Sequence, residues 1–407
     1  MIDVVVVGGG ASGLIAAILS KNKNNRVTIL ERNNICGKKI LMTGNGRCNY
    51  WNSNQDISHY HSSNKELLLE FFSDNISDKV LPFFERLGIV SKIKNGYYYP
   101  YSNQAISIRD ALVSEAQKKN IEIRNNFLVE DIEKVNNKFI VSSNSQKIEC
   151  DIVILATGSK ASPKTGSDGI GYKLAKSFNH TIIDILPSLV QLKGKDPFFK
   201  EWEGIRSEVE VSLYENETFI KKEIGEIQLT NYGISGICIF NVSGLVAKGL
   251  KQGKKEVIKI NFLPFLNEKN PKLWFSEQEQ LTNNLTIEEL VNGFLNNKLT
   301  KVILNEAKID GSKFWRNLSD IDKEILIKSL ISFEVKITDT NSFDQAQVCS
   351  GGISLSEINL QTMESKLVDN LYIIGELLDV DGDCGGYNLG FAWMSAIKAG
   401  NKIGEAK

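Results

Sequence analysis

Hydrophobic and polar positions change rhythm several times along the chain. Asp3-Val4-Val5-Val6-Val7 is a β-branched run without a polar break, the pattern of a parallel strand buried on both faces, and it predicts a strand over residues 2–7. Gly8-Gly9-Gly10-Ala11-Ser12-Gly13 follows without a gap, and Leu14-Ile15-Ala16-Ala17-Ile18-Leu19 predicts a buried helix. A second strand over residues 26–30 ends in Glu31. Residues 147–155 alternate and then become wholly apolar, predicting one strand that closes on Ala156-Thr157-Gly158. Leu371-Tyr372-Ile373-Ile374 predicts another buried strand, closed by Gly375-Glu376, and Tyr387-Asn388-Leu389 opens a helix that runs through Trp393 and Ile397. Buried strands separated by helical stretches indicate an α/β fold around a parallel sheet.

After Leu186-Pro187-Ser188-Leu189-Val190 the texture differs. Residues 208–214 alternate, Glu215-Asn216-Glu217 turns, and residues 218–230 alternate again, which predicts antiparallel β structure. From 267 to 330 the period becomes helical, with Ile287, Leu290, Val291, Phe294 and Leu295 on one face that is read as core. Residues 333–338 return to a strand before Gly351-Gly352 re-enters the first pattern.

The glycine turn carries the first chemistry. In a G-x-G-x-x-G frame, Gly8 permits the tight turn, Gly10 lets a pyrophosphate approach the backbone, and Gly13 lets helix and strand pack closely. The helix N-terminus offers unsatisfied N–H groups and about half a positive charge to a diphosphate. Glu31, 18 positions after Gly13, is placed to accept both hydroxyls of a ribose, and an acid there disfavours a 2′-phosphate. Strand, turn, helix, strand and acid in register predict a dinucleotide site of Rossmann-like type. Glu376 at the carboxyl end of a further strand suits a ribityl chain, so FAD is favoured over NAD as the resident cofactor.

Composition narrows the partners. With 407 residues, a net charge of −1 and a pI near 6.4, two or three domains are expected and no strong field gathers nucleic acid or an anionic membrane. No run reaches the roughly 18 apolar residues of a membrane span, and the chain enters a strand at once without a basic lead, so a cytoplasmic location is expected. Cys36, Cys48, Cys150, Cys238, Cys349 and Cys384 are scattered, without a C-x-x-C pair, and no structural metal is expected. Asp379, Asp381 and Asp383 lack the later bidentate Glu of a calcium loop. The three histidines, His59, His61 and His180, lie outside the glycine motifs and are read as surface or core residues.

Five further motifs occur in order: Gly37-Lys38-Lys39-Ile40-Leu41-Met42-Thr43-Gly44-Asn45-Gly46-Arg47-Cys48-Asn49; Pro163-Lys164-Thr165-Gly166; Asn231-Tyr232-Gly233-Ile234-Ser235-Gly236; Leu377-Leu378-Asp379-Val380-Asp381-Gly382; and Gly382-Asp383-Cys384-Gly385-Gly386-Tyr387-Asn388-Leu389-Gly390-Phe391-Ala392-Trp393. Together they closely resemble the BaiN-like (YhiN-like) family of NAD(P)/FAD-dependent oxidoreductases, also described as aminoacetone oxidase family FAD-binding enzymes. The resemblance runs from Met1 to about residue 404 and weakens between about 190 and 345.

The resemblance implies a Rossmann-like FAD-binding domain of the two-dinucleotide-binding flavoprotein type, interrupted by an inserted antiparallel β-barrel and a small helical subdomain. The expected boundaries are 1–190 and 346–407 for the FAD domain, 191–266 with 331–345 for the barrel, and 267–330 for the helices. The implied cofactor-binding set is Gly8, Gly10, Ala11, Ser12, Gly13, Glu31, Arg32, Lys39, Gly46, Arg47, Cys48, Asn49, Val129, Ala156, Thr157, Gly158, Gly375, Glu376, Asp381, Gly386, Tyr387, Asn388 and Leu389. Asn45 stands where many relatives have glycine, and Cys349 where small or hydroxyl residues are common.

Lys38, Lys39 and Arg47 could offset the diphosphate or the pyrimidine edge of a reduced flavin, and the helix opening at Tyr387 could stabilise the anion formed there. Cys48 and Tyr387 are the candidate proton donors. The expected activity passes hydride from NADH or NADPH, bound transiently, through FAD to a small unsaturated or carbonyl substrate. An oxygen-using oxidase of an amine or aminoketone, a tRNA-modifying flavoprotein and a non-catalytic flavin-binding protein stand as alternatives. Near-neutral charge speaks against nucleic acid.

Overall fold

The computed structural model describes residues 1–282 and 285–405. The chain divides into two compact units, Met1–Ser188 with Phe343–Lys407, and Leu189–Ser342. In the first unit, β1 (Ile2–Val7), β2 (Asn25–Leu30), β3 (Glu122–Arg124), β4 (Ile152–Leu155) and β5 (Leu371–Ile373) form a parallel sheet in the order β5-β4-β1-β2-β3. The valine run becomes the central strand because its side chains are buried on both faces, with Val4 to Val7 at most 3% exposed. The chain runs outward through β2 and β3 on one side of β1 and through β4 and β5 on the other. The crevice beyond the carboxyl ends of β1 and β4 is therefore the topological switch point, where open α/β sheets bind ligands.

Helix α1 (Ala11–Ser20) and the C-terminal helix α2 (Tyr387–Gly404) pack against each other. From Gly390 to Gly400 every position of α2 is buried, so Lys398 carries its charge inside. It is matched there by Asp74 at 2.9 Å and lies over the ring of Phe71 at 4.8 Å, which relieves part of the cost of removing an ammonium from water.

The segment 147–155 departs from the single strand expected. Its alternating half, Lys147–Cys150, pairs antiparallel with Lys138–Ser142 in a separate three-stranded sheet, and only its apolar half is β4. Asp151 sits at the break. Its N–H donates to the Asp3 carbonyl at 2.9 Å, its carboxylate accepts from the Asp3 N–H at 2.8 Å, and Lys138 pairs with it at 2.7 Å. The change of period in the sequence is thus a change of sheet.

The second unit is built on a seven-stranded antiparallel sheet in the order Phe333–Ile337, Glu256–Asn261, Arg206–Glu215, Thr218–Thr230, Gly233–Gly236, Leu192–Lys193, Asp339–Thr340. Asn216 and Glu217, at φ 46° and 70°, make the left-handed turn that joins its two longest strands. Helix Ile237–Lys251 lies against the sheet, and helices Pro271–Thr282, Ile287–Asn292, Asn297–Ala307 and Asp320–Ile331 follow. Ile287, Leu290, Val291 and Leu295 are buried in the unit's core, with Phe294 partly buried against them.

Glu256 is the exception in that core: it is buried, and neither carboxyl oxygen has a hydrogen-bond partner. Glu215 lies directly across the strand pair and is bonded to Lys254 at 2.6 Å. Burial, and secondarily the Glu215 charge, push the Glu256 carboxyl up to about 7. The native chain therefore holds this proton more tightly than the unfolded chain. Its contribution is full below about pH 4.5 and is lost as pH rises through about 7, a difference of up to about 3 kcal/mol. Glu256→Gln is expected to raise the thermal midpoint by several degrees at pH 8 and by much less at pH 5; equal shifts at both pH values in differential scanning calorimetry would refute the assignment.

Candidate cofactor site

The turn between β1 and α1 is shaped by three glycines with different surroundings. Gly8 has φ +105°, and a Cβ there would meet the Ala156 carbonyl oxygen at 2.5 Å. A Cβ on Gly13 would overlap the Gly8 carbonyl oxygen and crowd the Ala156 methyl group, so strand and helix touch at this point. Gly10 instead faces open space. It is the N-cap of α1, with no side chain bonded to the helix amides and no acid in the first turn. The sequence thus leaves a patch of amide dipoles uncapped beside a strand end, a setting that favours an anion.

Glu31, at the end of β2, is buried beside this turn. Its Oε2 accepts from the Gly9 N–H at 2.9 Å, and its Oε1 accepts from the backbone and side-chain N–H groups of Asn33, both at 2.7 Å. Asn33 also donates to the Thr165 carbonyl at 3.0 Å, and Arg32 pairs with Asp168 at 2.5 Å and donates to the Gly166 carbonyl at 3.3 Å. The Pro163-Lys164-Thr165-Gly166 motif therefore lands beside Glu31. Val129 is buried just beyond Phe127, whose N–H donates to the Glu31 carbonyl at 2.9 Å.

Past β4 and β5, Glu376 accepts from Lys39 at 2.6 Å and from the Ser159 hydroxyl at 3.2 Å. Lys39 and Glu376 are brought together across 337 positions of the chain. Cys349 is buried nearby; desolvation pushes its thiol up to about 11, against a hydrogen bond from Ser159 that lowers it. Tyr172 Oη and Ser350 Oγ are buried with no partner, and the Tyr172 phenol is raised first by burial and then by the charges of Cys349, Glu376 and Asp379. Buried hydroxyls without partners are costly, and a polyhydroxylated chain such as ribityl would satisfy them. Open amides, a buried carboxylate at a strand end and unpartnered hydroxyls together fit FAD.

The loop holding residues 37–49 turns left-handed at Gly44 and Asn45, both at φ 54°. Arg47 lies exposed against the Tyr99 ring at 5.6 Å, and its Nε donates to the Gly44 carbonyl at 3.2 Å. Asn49 turns its side-chain amide to the carbonyls of Tyr98 and Trp51. Gly386, at φ +95°, is the N-cap of α2, again without a side-chain cap. Asn388 clamps the preceding turn, accepting from the Gly382 N–H and donating to the Gly382 carbonyl, each at 2.8 Å. Leu389 is half-buried.

The two candidate proton donors, Cys48 and Tyr387, both lie buried. Cys48 is wholly buried, and burial pushes its thiol up to about 12; Tyr387 is buried, and desolvation raises its phenol to about 12. His59 and His61 are each partly exposed. Their segment docks on the glycine turn before α2, where Tyr60–His61 pairs antiparallel with Asp381–Gly382. His59 Nδ1 lies 3.0 Å from Asp383 Oδ2 and His61 Nε2 lies 3.0 Å from Asp383 Oδ1, while the His59 ring stacks on Tyr387 at 4.5 Å. The neighbouring aspartates diverge: Asp379 accepts from Ser62 and Ser63, and Asp381 from Ser188 at 3.1 Å. No local pattern announces the histidines, because more than 320 positions separate them from Asp383.

Residues 2–402 match the family model described as HI0933-like protein Rossmann domain. The chain is 38% identical over 402 residues, 98% of each chain, to a 3-dehydro-bile acid delta(4,6)-reductase of Clostridium scindens. It is 28% identical over 411 residues, 100% of this chain and 98% of the other, to a ribosomal RNA dihydrouridine synthase of Escherichia coli. Among solved structures, 3-ketosteroid delta1-dehydrogenase from Sterolibacterium denitrificans shares the fold, with a TM-score of 0.52 at 12% identity over 100% of both chains. The chain belongs to the HI0933-like Rossmann family and is a flavoprotein oxidoreductase.

Proposed function

We propose that the chain reduces a carbon–carbon double bond conjugated to a carbonyl group, with FAD resident and NADH or NADPH as the transient reductant. The observation that carries the cofactor part is the open space at Gly10, bounded by the touching backbones at Gly8 and Gly13 and flanked by Glu31. The amides of Ala11, Ser12 and Gly13 would hold the diphosphate, Glu31 the adenosine ribose, and Val129 the side of the adenine. Glu376, Tyr172 and Ser350 would line the ribityl chain. The first amides of α2, at Tyr387, Asn388 and Leu389, would face the pyrimidine edge, where their dipoles favour negative charge. Bound FAD would supply reversible two-electron, hydride-carrying chemistry.

Kinship supports the acceptor class. A bile acid reductase named for the delta(4,6) positions and a synthase named for dihydrouridine both saturate bonds that lie next to carbonyl groups. A small steroid-like enone follows from the more similar of these two relatives. A second reading, a uracil in RNA, is favoured by the hairpin Ser91–Lys94 and Tyr97–Pro100. It exposes Lys92, Lys94 and Tyr101 and holds Tyr99 beneath Arg47, the mixture of cations and aromatic faces that single-stranded RNA stacks on. A net charge of −1 does not exclude such a local patch.

Anaerobic addition of NADH or NADPH to the FAD-loaded protein is expected to bleach the flavin band, and a 4-en-3-one steroid to restore it; no bleaching by either nicotinamide refutes the reductase reading. Restoration by unmodified ribosomal RNA instead, with dihydrouridine formed, selects the second reading. Glu31→Gln is expected to weaken FAD binding by about 10- to 100-fold, as loss of a charged hydrogen-bond acceptor does, and to lower the thermal midpoint of the apoprotein by a few degrees, because the N–H groups of Gly9 and Asn33 lose an acceptor. Unchanged affinity in a flavin fluorescence titration removes Glu31 from the site.

A further inference from the structure

Around the glycine turn before α2, two imidazoles share one carboxylate. Asp383 is buried, whereas the side chains of His59 and His61 are 30% and 29% exposed, so the imidazoles are the solvent-facing ends of a buried charge. The surrounding hydrogen bonds give the two rings different roles. The Asp56 N–H donates to Asn54 Oδ1 at 3.0 Å, which turns the Asn54 amide nitrogen toward His59 Nε2 at 3.1 Å. His59 Nε2 must therefore accept, its proton sits on Nδ1, and it donates to Asp383 Oδ2. His59 is held as a neutral donor. His61 gives its Nε2 proton to Asp383 Oδ1, and its Nδ1 has no protein partner among the described residues. One ring is tied at both nitrogens; the other is oriented by a carboxylate and open at its second nitrogen, the arrangement of a general acid with its orienting partner.

We propose that His61 supplies the proton that accompanies hydride transfer to the conjugated double bond, with Asp383 as its positioning carboxylate and His59 as the lock on Asp383. The inference rests on the reductase reading above. Saturating the bond takes two electrons and two hydrogens. A hydride, traced to the nicotinamide reductant, forms the new C–H at the carbon β to the carbonyl. The displaced π pair takes the proton from His61 Nδ1 at the α carbon. Neutral His61, still donating through Nε2 to Asp383, regains a proton from solvent. Imidazole suits the task because one ring nitrogen can stay bonded to Asp383 while the other carries the proton that is transferred.

The test separates the two half-reactions in His61→Gln and Asp383→Asn, each loaded with FAD, using NADH or NADPH as donor and a 4-en-3-one steroid or 2-cyclohexen-1-one as acceptor. His61→Gln is expected to bleach with the nicotinamide within about twofold of the unaltered protein but to return its colour with the enone about 100- to 1,000-fold more slowly. Asp383→Asn is expected to show a smaller loss in the same step. Equal enone rates in His61→Gln and the unaltered protein overturn this proposal alone; equal slowing of both half-reactions marks a structural role and also overturns it. An unaltered protein that bleaches but returns no colour to any enone overturns the reductase reading and this proposal with it. Nitrogen-15 imidazole spectra of the unaltered apoprotein supply a readout independent of turnover and of variant folding. They are expected to show His59 protonated on Nδ1 and His61 on Nε2, and a neutral His61 protonated on Nδ1 overturns the assignment.

Discussion

The closeness of β1 and α1 is the constraint on which the rest depends. Because neither Gly8 nor Gly13 carries a Cβ, the helix begins in contact with the strand end, and its first amides emerge beside Gly10 with no side chain to cap them. Uncapped amides at a buried helix end are costly unless something bonds them. The first turn of α1 carries no acid of its own, and the Glu31 carboxylate is held by the N–H groups of Gly9 and Asn33. The cost of leaving that helix end open is offset when a diphosphate lies there.

The same logic repeats at α2. Gly386 caps the helix without a side-chain acceptor, and Asn388 spends its amide on fixing the Gly382 turn rather than on the helix end. The turn is further pinned from outside by the segment carrying His59 and His61. A loop held this firmly by distant residues presents its backbone at a fixed place, which is what stabilising a transient charge requires.

Most of the first unit was legible in the sequence because its signals are local. A β-branched run, a glycine frame and a following β-strand dictate strand, turn, helix and strand with little help from the remainder of the chain. What escaped notice depends on long-range pairing. Residues 147–155 look like one strand, yet Asp151 bonds to Asp3 and sends the two halves into different sheets. Nothing local in the sequence shows that Lys39 pairs with Glu376. The thiol of Cys48 sits in a glycine motif yet is removed from water altogether. His59 and His61 acquire meaning only through Asp383, and no hydrophobic period records a contact between side chains more than 320 positions apart.

A crystal structure of the FAD-loaded protein tests the central claim most directly. The diphosphate is expected to lie within hydrogen-bond distance of the first-turn amides of α1, over Gly10, with both adenosine ribose hydroxyls on Glu31. A cofactor whose diphosphate lies elsewhere, or a helix start at Gly10 that faces only protein, would contradict the account.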